Sequence, residues 1–414
     1  MSEVVLVNVA GCDHPGITAS LTGIMGRYGL NVLDIGQAVI HNNLSWGMLV
    51  EVPPEASGSA VFKELMFEAH RLGLVMQLTP VSESDYNKWV AEQGQSRHVI
   101  TVLGKQIRAE HICRVTELIT VNHLNIDRIN RLSGRAMLST PEHRRRSAID
   151  FHVRGEVPEL SVMHATFLQL SQRLDIDIAI QQDDVFRRNR RLVCFDMDST
   201  LIQNEVIDEL ARVAGVGDEV SKITARAMAG EIDFKESFTK RLGLLKGLEE
   251  EKLLQVADSL TVTDGAERLI RTLKHFRFKV AIISGGFSWF AERLKDRLGV
   301  DYVYANELEI ENGCLTGRVV GDIVDEYRKA ELLSAIAERE DIRLEQVIAV
   351  GDGANDLRML SIAGLGIAFR AKQVVRERAH FALGASSLDS ILYLIGMSER
   401  DFSAIAEGAV NKLE

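Results

Sequence analysis

LVCFDMDSTLIQNE, residues 192–205, decides how the second half of this chain reads. Four apolar residues, Leu192 to Phe195, lead directly into two aspartates one residue apart, Asp196 and Asp198. A short continuous apolar run of this kind suits a strand buried on both faces of a parallel sheet. In open α/β sheets ligands bind outside the carboxyl ends of the strands. The two carboxylates stand at such an end, and side by side they repel unless something offsets them.

Two further apolar runs end in the same way. KVAII (279–283) leads into Ser284, Gly285 and Gly286, and VIAV (347–350) leads into GDGANDL, with Asp352, Asn355 and Asp356. From about Arg191 onward strands and helices alternate, as in parallel α/β sheets. Residues 203–265 carry helical periodicity without a clear strand, which predicts a helical insertion over the sheet's edge. The three polar clusters are therefore expected to converge on one crevice. A lone pair of aspartates could be a turn or a helix cap, but three clusters at three strand ends are harder to dismiss.

Convergence has an electrostatic consequence. Asp196, Asp198, Asp352 and Asp356 would bring four negative charges together, with Lys329 of DEYRKAELL as the local cation. Two unit charges at about 4 Å interact by roughly 4 kcal/mol at an effective dielectric of 20, so one lysine cannot balance the set. Carboxylate oxygens suit Mg²⁺, and Mg²⁺ sites commonly share their ligands with a substrate phosphate. Ser284 and the glycines after it would offer backbone N–H groups to such an anion at a helix start. Residues i and i+2 of an extended chain point the same way, so Asp196 and Asp198 would face one centre.

The first half reads as a repeat. EVVLVNVAG (3–11) is a strand candidate, DHPGITASLTGIMGRYG (13–29) a turn and an amphipathic helix, and LNVLDIGQAVI and WGMLVEV two more strands. A helix over 59–72 and the strand LVMQLTP close a βαββαβ order. After a polar stretch (81–97) the order restarts with HVITVLG (98–104) and runs to DIDIAIQQ, with Gly104 aligning on Gly11 and LNIDRI on LNVLDI. Both copies fit the ferredoxin-like split βαβ arrangement. The expected bounds are 1–85 and 96–182 for the copies and 190–400 for the α/β domain.

Whole-chain properties narrow the partners. The formal net charge of −11 over 414 residues argues against nucleic acid or an anionic membrane. The basic clusters HRRRS (143–147) and RRNRR (187–191) read as solvated loop or linker charge. No apolar run approaches the roughly 18 residues of a membrane span. The start, MSEVVLVNVAG, lacks the basic region of a signal peptide. Four widely spaced cysteines without a CxxC fit neither a disulfide framework nor a zinc site. A cytoplasmic protein is expected.

FDMDSTLIQNE, SGGF, the lysine in YRKAE and GDGANDLRML together resemble the four motifs of the haloacid dehalogenase superfamily. The DMDST form with EVIDELA after it is similar to the phosphoserine phosphatases within that superfamily. The doubled first half resembles ACT domains, small amino-acid-sensing modules, through DHPGI and GLNVLDI. Its second copy departs, with GKQIRAE in place of GCDHPGI.

The resemblance implies a Rossmann-like core with a helical cap behind two ACT domains, acting on O-phospho-L-serine with Mg²⁺. It implies Asp196 as nucleophile and Asp198 as acid and then base. Asp196, the Asp198 carbonyl and Asp352 would hold the metal. Ser284, Gly285, Lys329 and Asn355 would hold the phosphoryl group, with Asp356 orienting Lys329 or a metal-bound water. Glu205 would meet the substrate ammonium and Arg241 its carboxylate, while Met228 and Phe234 would close the lid. Phe234 and Arg241, seven apart, share a helix face about 10 Å apart along the axis. For the ACT half it implies a serine effector near Asp13, Gly16 and Asn31, and a homodimer. Two alternatives stay open: a phosphatase of phosphothreonine or of phosphoproteins, and an amino-acid sensor whose second half is only structural.

Overall fold

The structure, a computed structural model, describes residues 3–406 except 55, 57, 140, 142–145, 158, 229 and 230. The chain divides into two compact units, Met1–Gln95 and Ser96–Glu414.

The first unit has strands β1 (Glu3–Cys12), β2 (Asn31–Ile40), β3 (Asn43–Val52) and β4 (Val75–Val81). They form an antiparallel sheet in the order β2-β3-β1-β4. Helices Ile17–Arg27 and Gly58–Arg71 cover one face. Strand alternation places Val5, Val7 and Val9 against Leu21, Trp46 and Leu65 in a single core.

The polar stretch after β4 contains a helix, Glu83–Glu92. It buries no residue and so lacks the apolar period that marks a helix in sequence. Its start is nonetheless signalled: Ser82 caps it by accepting the Asp85 N–H at 3.1 Å.

The second unit opens with the same module. Strands β5 (Arg97–Gly104), β6 (Asn125–Arg131), β7 (Ser147–Arg154) and β8 (Asp177–Gln182) pair in the order β6-β7-β5-β8. Its helices are Ala109–Val121 and Leu160–Leu174. There follow β9 (Leu192–Phe195), β10 (Lys279–Phe287), β11 (Tyr302–Glu311), β12 (Cys314–Val320), β13 (Val347–Gly351), β14 (Leu365–Phe369) and β15 (Phe381–Leu383). These make one sheet in the order β12-β11-β10-β9-β13-β14-β15, parallel except for the β11–β12 hairpin. Along β9, Leu192 and Cys194 enter one core cluster while Val193 and Phe195 enter another. Both faces are covered, which is why the run is continuously apolar.

Among the described residues, four helices between Val206 and Ser259 form the insertion. Its two connections to the core meet as an Ile202–Val262 bridge. Its far side pairs with the edge hairpin, where Gly247 N–H donates to the Leu315 carbonyl at 2.8 Å.

The reading of RRNRR as solvated charge is corrected. Arg187 is buried and pairs with buried Asp150, and Arg190 is buried with its guanidinium on the carbonyls of Glu345 and Gly364. Only Arg188, Asn189 and Arg191 face water. The chain crossing between two covered sheets buries alternate arginines, and their hydrogen bonds offset the desolvation. In HRRRS, residues 143–145 lie outside the described residues. Arg146 is not a free loop charge either, because it pairs with buried Asp389. Among the described residues no helix is long and apolar enough to cross a membrane, and the four cysteines are free.

Candidate active site

The strand order places β9 between β10 and β13, so the chain reverses direction across the sheet at the end of β9. Asp196 sits there, fixed by its N–H donating to the Val350 carbonyl at 2.9 Å. Its carboxylate accepts the Met197 N–H at 2.7 Å and meets Lys329 Nζ at 2.9 Å. Lys329 enters from helix Glu326–Arg339, fully buried, and also contacts Asp356 Oδ1 at 2.7 Å. Burial would lower the lysine's pKa, but the charges of Asp196 and Asp356 outweigh it and raise it. The lysine stays charged, held between two carboxylates.

Asp356 has a second tie. Its Oδ2 accepts the Gly353 N–H at 2.9 Å, and its side chain makes no cap bond to the helix Leu357–Ile362. It therefore shapes the GDGAND loop and positions Lys329. Burial and the Asp196 charge push it up to about 6, against the pull of Lys329.

Oxygen atoms of Asp196, Asp352 and Asp356 lie within 4.8 Å of one another. Burial, then the charges of Asp196, Asp356 and Glu205, push Asp352 up to about 8. A donor set made only of carboxylate oxygens, with repulsion this strong, fits a hard divalent cation.

Asp198 follows in a tight turn, Met197–Leu201, reversed by Ser199 at φ 55°. Asp196 and Asp198 are both extended, with ψ of 160° and 137°. Burial, then the charges of Glu205 and Asp196, raise the Asp198 pKa. Its Oδ2 lies only 2.6 Å from where a Cβ on Gly286 would stand. Any side chain at 286 would displace the carboxylate. Ser284 is fully buried, and its Oγ accepts the Gly286 N–H at 3.0 Å.

One expectation changes here. The chain stays a strand through Phe287, and the helix begins only at Ser288. Ser284 is thus four residues short of a helix start, because SGGF continues the apolar β10.

The insertion brings Glu205, Phe234 and Arg241 toward the same place. Glu205 precedes helix Val206–Val213 and takes a 2.7 Å bond from Ser199 Oγ. Burial, then the charges of Asp196 and Asp208, raise its pKa. Arg241, in helix Phe234–Gly243, has a buried Nε without a hydrogen-bond partner among the described residues. Burial lowers its pKa, opposed by Asp208, Glu205 and Asp198. Phe234 Cζ stands 3.2 Å, and Asn355 Nδ2 3.6 Å, from the Cβ position of Gly285. Met228 ends helix Gly217–Met228, but its side chain lies outside the described residues.

Four residues were missed by sequence reasoning. Thr200 Oγ1 donates to Asp352 at 3.2 Å, Ser199 holds Glu205, and Asp208 faces Arg241 electrostatically. Their signal was position: two directly follow Asp198, and Asp208 lies one helical turn after Glu205. Asn306 on β11 ties β10 to the loop before helix Glu326–Arg339, donating to the Gly285 carbonyl and accepting the Val324 N–H, both at 2.8 Å. Nothing in its surrounding sequence marks it.

This arrangement has counterparts. The sequence profile of the haloacid dehalogenase-like hydrolases matches residues 193–361, and ACT-domain profiles match 3–79 and 96–181. A phosphoserine phosphatase of Streptomyces coelicolor is 40% identical over 96% of this chain and 93% of its own length. One from Mycobacterium tuberculosis is 37% identical over 98% and 96%. The chain belongs to the haloacid dehalogenase-like hydrolases. It is a member with two amino-terminal ACT domains. A hydrolase of this family from Salmonella enterica serovar Typhi superposes with a TM-score of 0.63 at 32% identity, covering 72% of this chain and 99% of that one. In this hydrolase the insertion is the cap.

Proposed function

We propose that the chain is a Mg²⁺-dependent phosphatase that converts O-phospho-L-serine to L-serine and phosphate. The observation that carries this is the pairing of two half-sites. Asp196, Asp198 and Ser284 stand at the strand ends with Lys329 entering from its helix, and the cap faces them with Glu205 and with Arg241, whose buried Nε has no partner among the described residues. The first set suits a phosphoryl group, and the second suits the ammonium and carboxylate of a free amino acid. The relatives named for the same activity match the chain end to end.

In this reading an Asp196 oxygen attacks phosphorus and the bond to the seryl oxygen breaks. Asp198 gives that oxygen its proton. Asp198 then takes a proton from a water whose oxygen attacks the aspartyl-phosphate, releasing phosphate and restoring the Asp196 carboxylate. Lys329 and Ser284 hold the phosphoryl oxygens, with the Gly285 backbone and Asn355 beside them. Phe234 excludes water. Asp196, the Asp198 carbonyl and Asp352 would hold Mg²⁺, which when bound neutralises charge on the transferring group.

The first module carries regulation. L-serine would bind near Asp13, Gly16 and Asn31, all at the exposed loop and strand start. A homodimer would form through β2, an edge strand that exposes Val32, Ile35, Val39 and Ile40.

The test is phosphate release from O-phospho-L-serine with Mg²⁺ and then EDTA, beside phosphothreonine and a phosphoserine peptide. Release that prefers phosphoserine, stops with EDTA and falls at least about 10³-fold in Asp196→Asn is expected. A folded protein that releases nothing from any of them sinks the reading and favours a sensor.

A further inference from the structure

A cavity of about 330 Å³ lies between the second ACT domain and the hydrolase domain. One wall is helix Leu160–Leu174 with β8, and the other is helix Gln373–Arg378 with β15. β15 is the edge of the sheet, three strands from β9, so the cavity is separate from the active site. Gln172 Nε2 donates to Gln373 Oε1 at 2.8 Å and ties the two walls together.

The polar groups here have specific capacities left over. Arg376 lines the cavity with a buried Nε that has no partner among the described residues. Asp177, the buried carboxylate that also approaches Gly384, is already occupied. Its oxygens accept the N–H groups of Gly384, Ala385 and Ser386 at 2.8–3.1 Å.

His380 Nδ1 accepts the Gly366 N–H at 3.0 Å, so its ring carries the proton on Nε2 as a donor. Burial lowers its pKa and keeps the ring neutral, with Arg190 acting in the same direction. Glu377 is held by Gln373 Nε2 at 2.6 Å. The cavity therefore offers the Arg376 cation and the His380 donor, and the one carboxylate in its described lining, the exposed Glu377, is turned to Gln373. Leu168, Ile180 and Phe381 supply an apolar wall.

We propose that this cavity binds a small carboxylate with a branched apolar body. The carboxylate sits on Arg376 and the His380 Nε2–H, and the body lies against Leu168, Ile180 and Phe381. A ligand there touches both domains and clamps them together.

The experiment is calorimetric titration of the full chain with 4-methylpentanoate and with 4-methylpentanol, the same body without the charge. Saturable binding of the acid is expected at concentrations up to about 10 mM. The alcohol should bind at least about tenfold more weakly. Arg376→Gln should weaken the acid by a similar factor. Ala165→Trp, at an exposed lining position, should block it by filling the cavity. Both variants should keep the wild-type Tm and phosphate-release rate. No binding of the acid, equal binding of acid and alcohol, or binding unchanged in both variants overturns the proposal.

Discussion

The two ACT domains share one strand order and opposite relations to their surroundings. Along β1 burial alternates, with Val5, Val7 and Val9 inside and Asn8 and Ala10 exposed. Along β5 it is continuous from His98 to Gly104. The outer face of the second copy is covered, and Leu103, Ala148 and Ala179 belong to the hydrolase core cluster. Matched positions show how this arose. Ala10 pairs with Val75 across β1 and β4, and Leu103 pairs with Asp177 across β5 and β8. Val75 is 75% exposed, while Asp177 is 2% exposed and clasps the loop after β15. Both copies keep a core of their own, and the second serves in addition as a docking platform through its outer face.

The largest break in this comparison should come at the clasp. Asp177→Ala removes the acceptor for three consecutive backbone N–H groups and leaves them unpaired. The expected loss is about 3 kcal/mol or more in urea unfolding of the full chain. Val75→Ala at the matched position should change stability by no more than about 0.5 kcal/mol. Equal effects would show that the second copy is not locked to the hydrolase domain through β8. Next in size is Leu103→Ala, expected to lose about 2–4 kcal/mol through a cavity in the shared cluster. Ala10→Ser should be near neutral, and a neutral Leu103→Ala would contradict the shared core.

Much of this fold was legible because periodicity records burial. The two βαββαβ copies and the three strands that feed the site stood out as period-2 or continuous apolar runs. The helix Glu83–Glu92, which buries no residue fully, left no such record, and neither did the edge hairpin β11–β12, half-covered by the cap. Strand β14, LGIAF, was a readable run that carried no chemistry to draw attention. At the site, residues that needed charge at a strand end were visible. Asn306, which only braces Gly285 and Val324, was not, since one amide in a strand looks like any surface residue. The docking of the second copy was hidden for a related reason. Leu103 and Asp177 acquire their meaning only from a sheet edge some 200 residues later in the chain.

A smaller contrast sets charge against its absence. Asp150 lies opposite Thr101, whose Oγ1 donates to it at 2.6 Å, whereas the matched pair in the first copy is Asn8 and Gly47. Burial pushes Asp150 up to about 6, though Thr101 and Arg187 pull it back. The folded pKa exceeds the unfolded one, so the folded state binds the proton more tightly. The group's contribution is therefore present below about pH 4 and lost as pH rises through about 6. Stability relative to Asp150→Asn should fall by roughly 2 kcal/mol or less across that window. A difference that stays flat with pH would mean that Arg187 fully compensates the buried carboxylate.

The smallest expected effect concerns the loops that most distinguish the copies in sequence. Gly16 adopts φ 97° before its helix, with nothing within 4 Å of a Cβ placed there. In the second copy Arg108 at the helix start has an ordinary extended backbone, φ −99°, and Ala109 occupies the place of Gly16. Gly16→Ala meets no steric block, so its cost is the backbone strain alone, about 1 kcal/mol. The same change reports on function, since it stiffens the loop near Asp13. Phosphate release without serine should be unchanged, and the response to added L-serine should weaken. Retention of the full serine response in Gly16→Ala, together with its loss in Gln106→Ala, would move the effector to the second copy. The first copy's exposed loop would then have no claim to the sensing role.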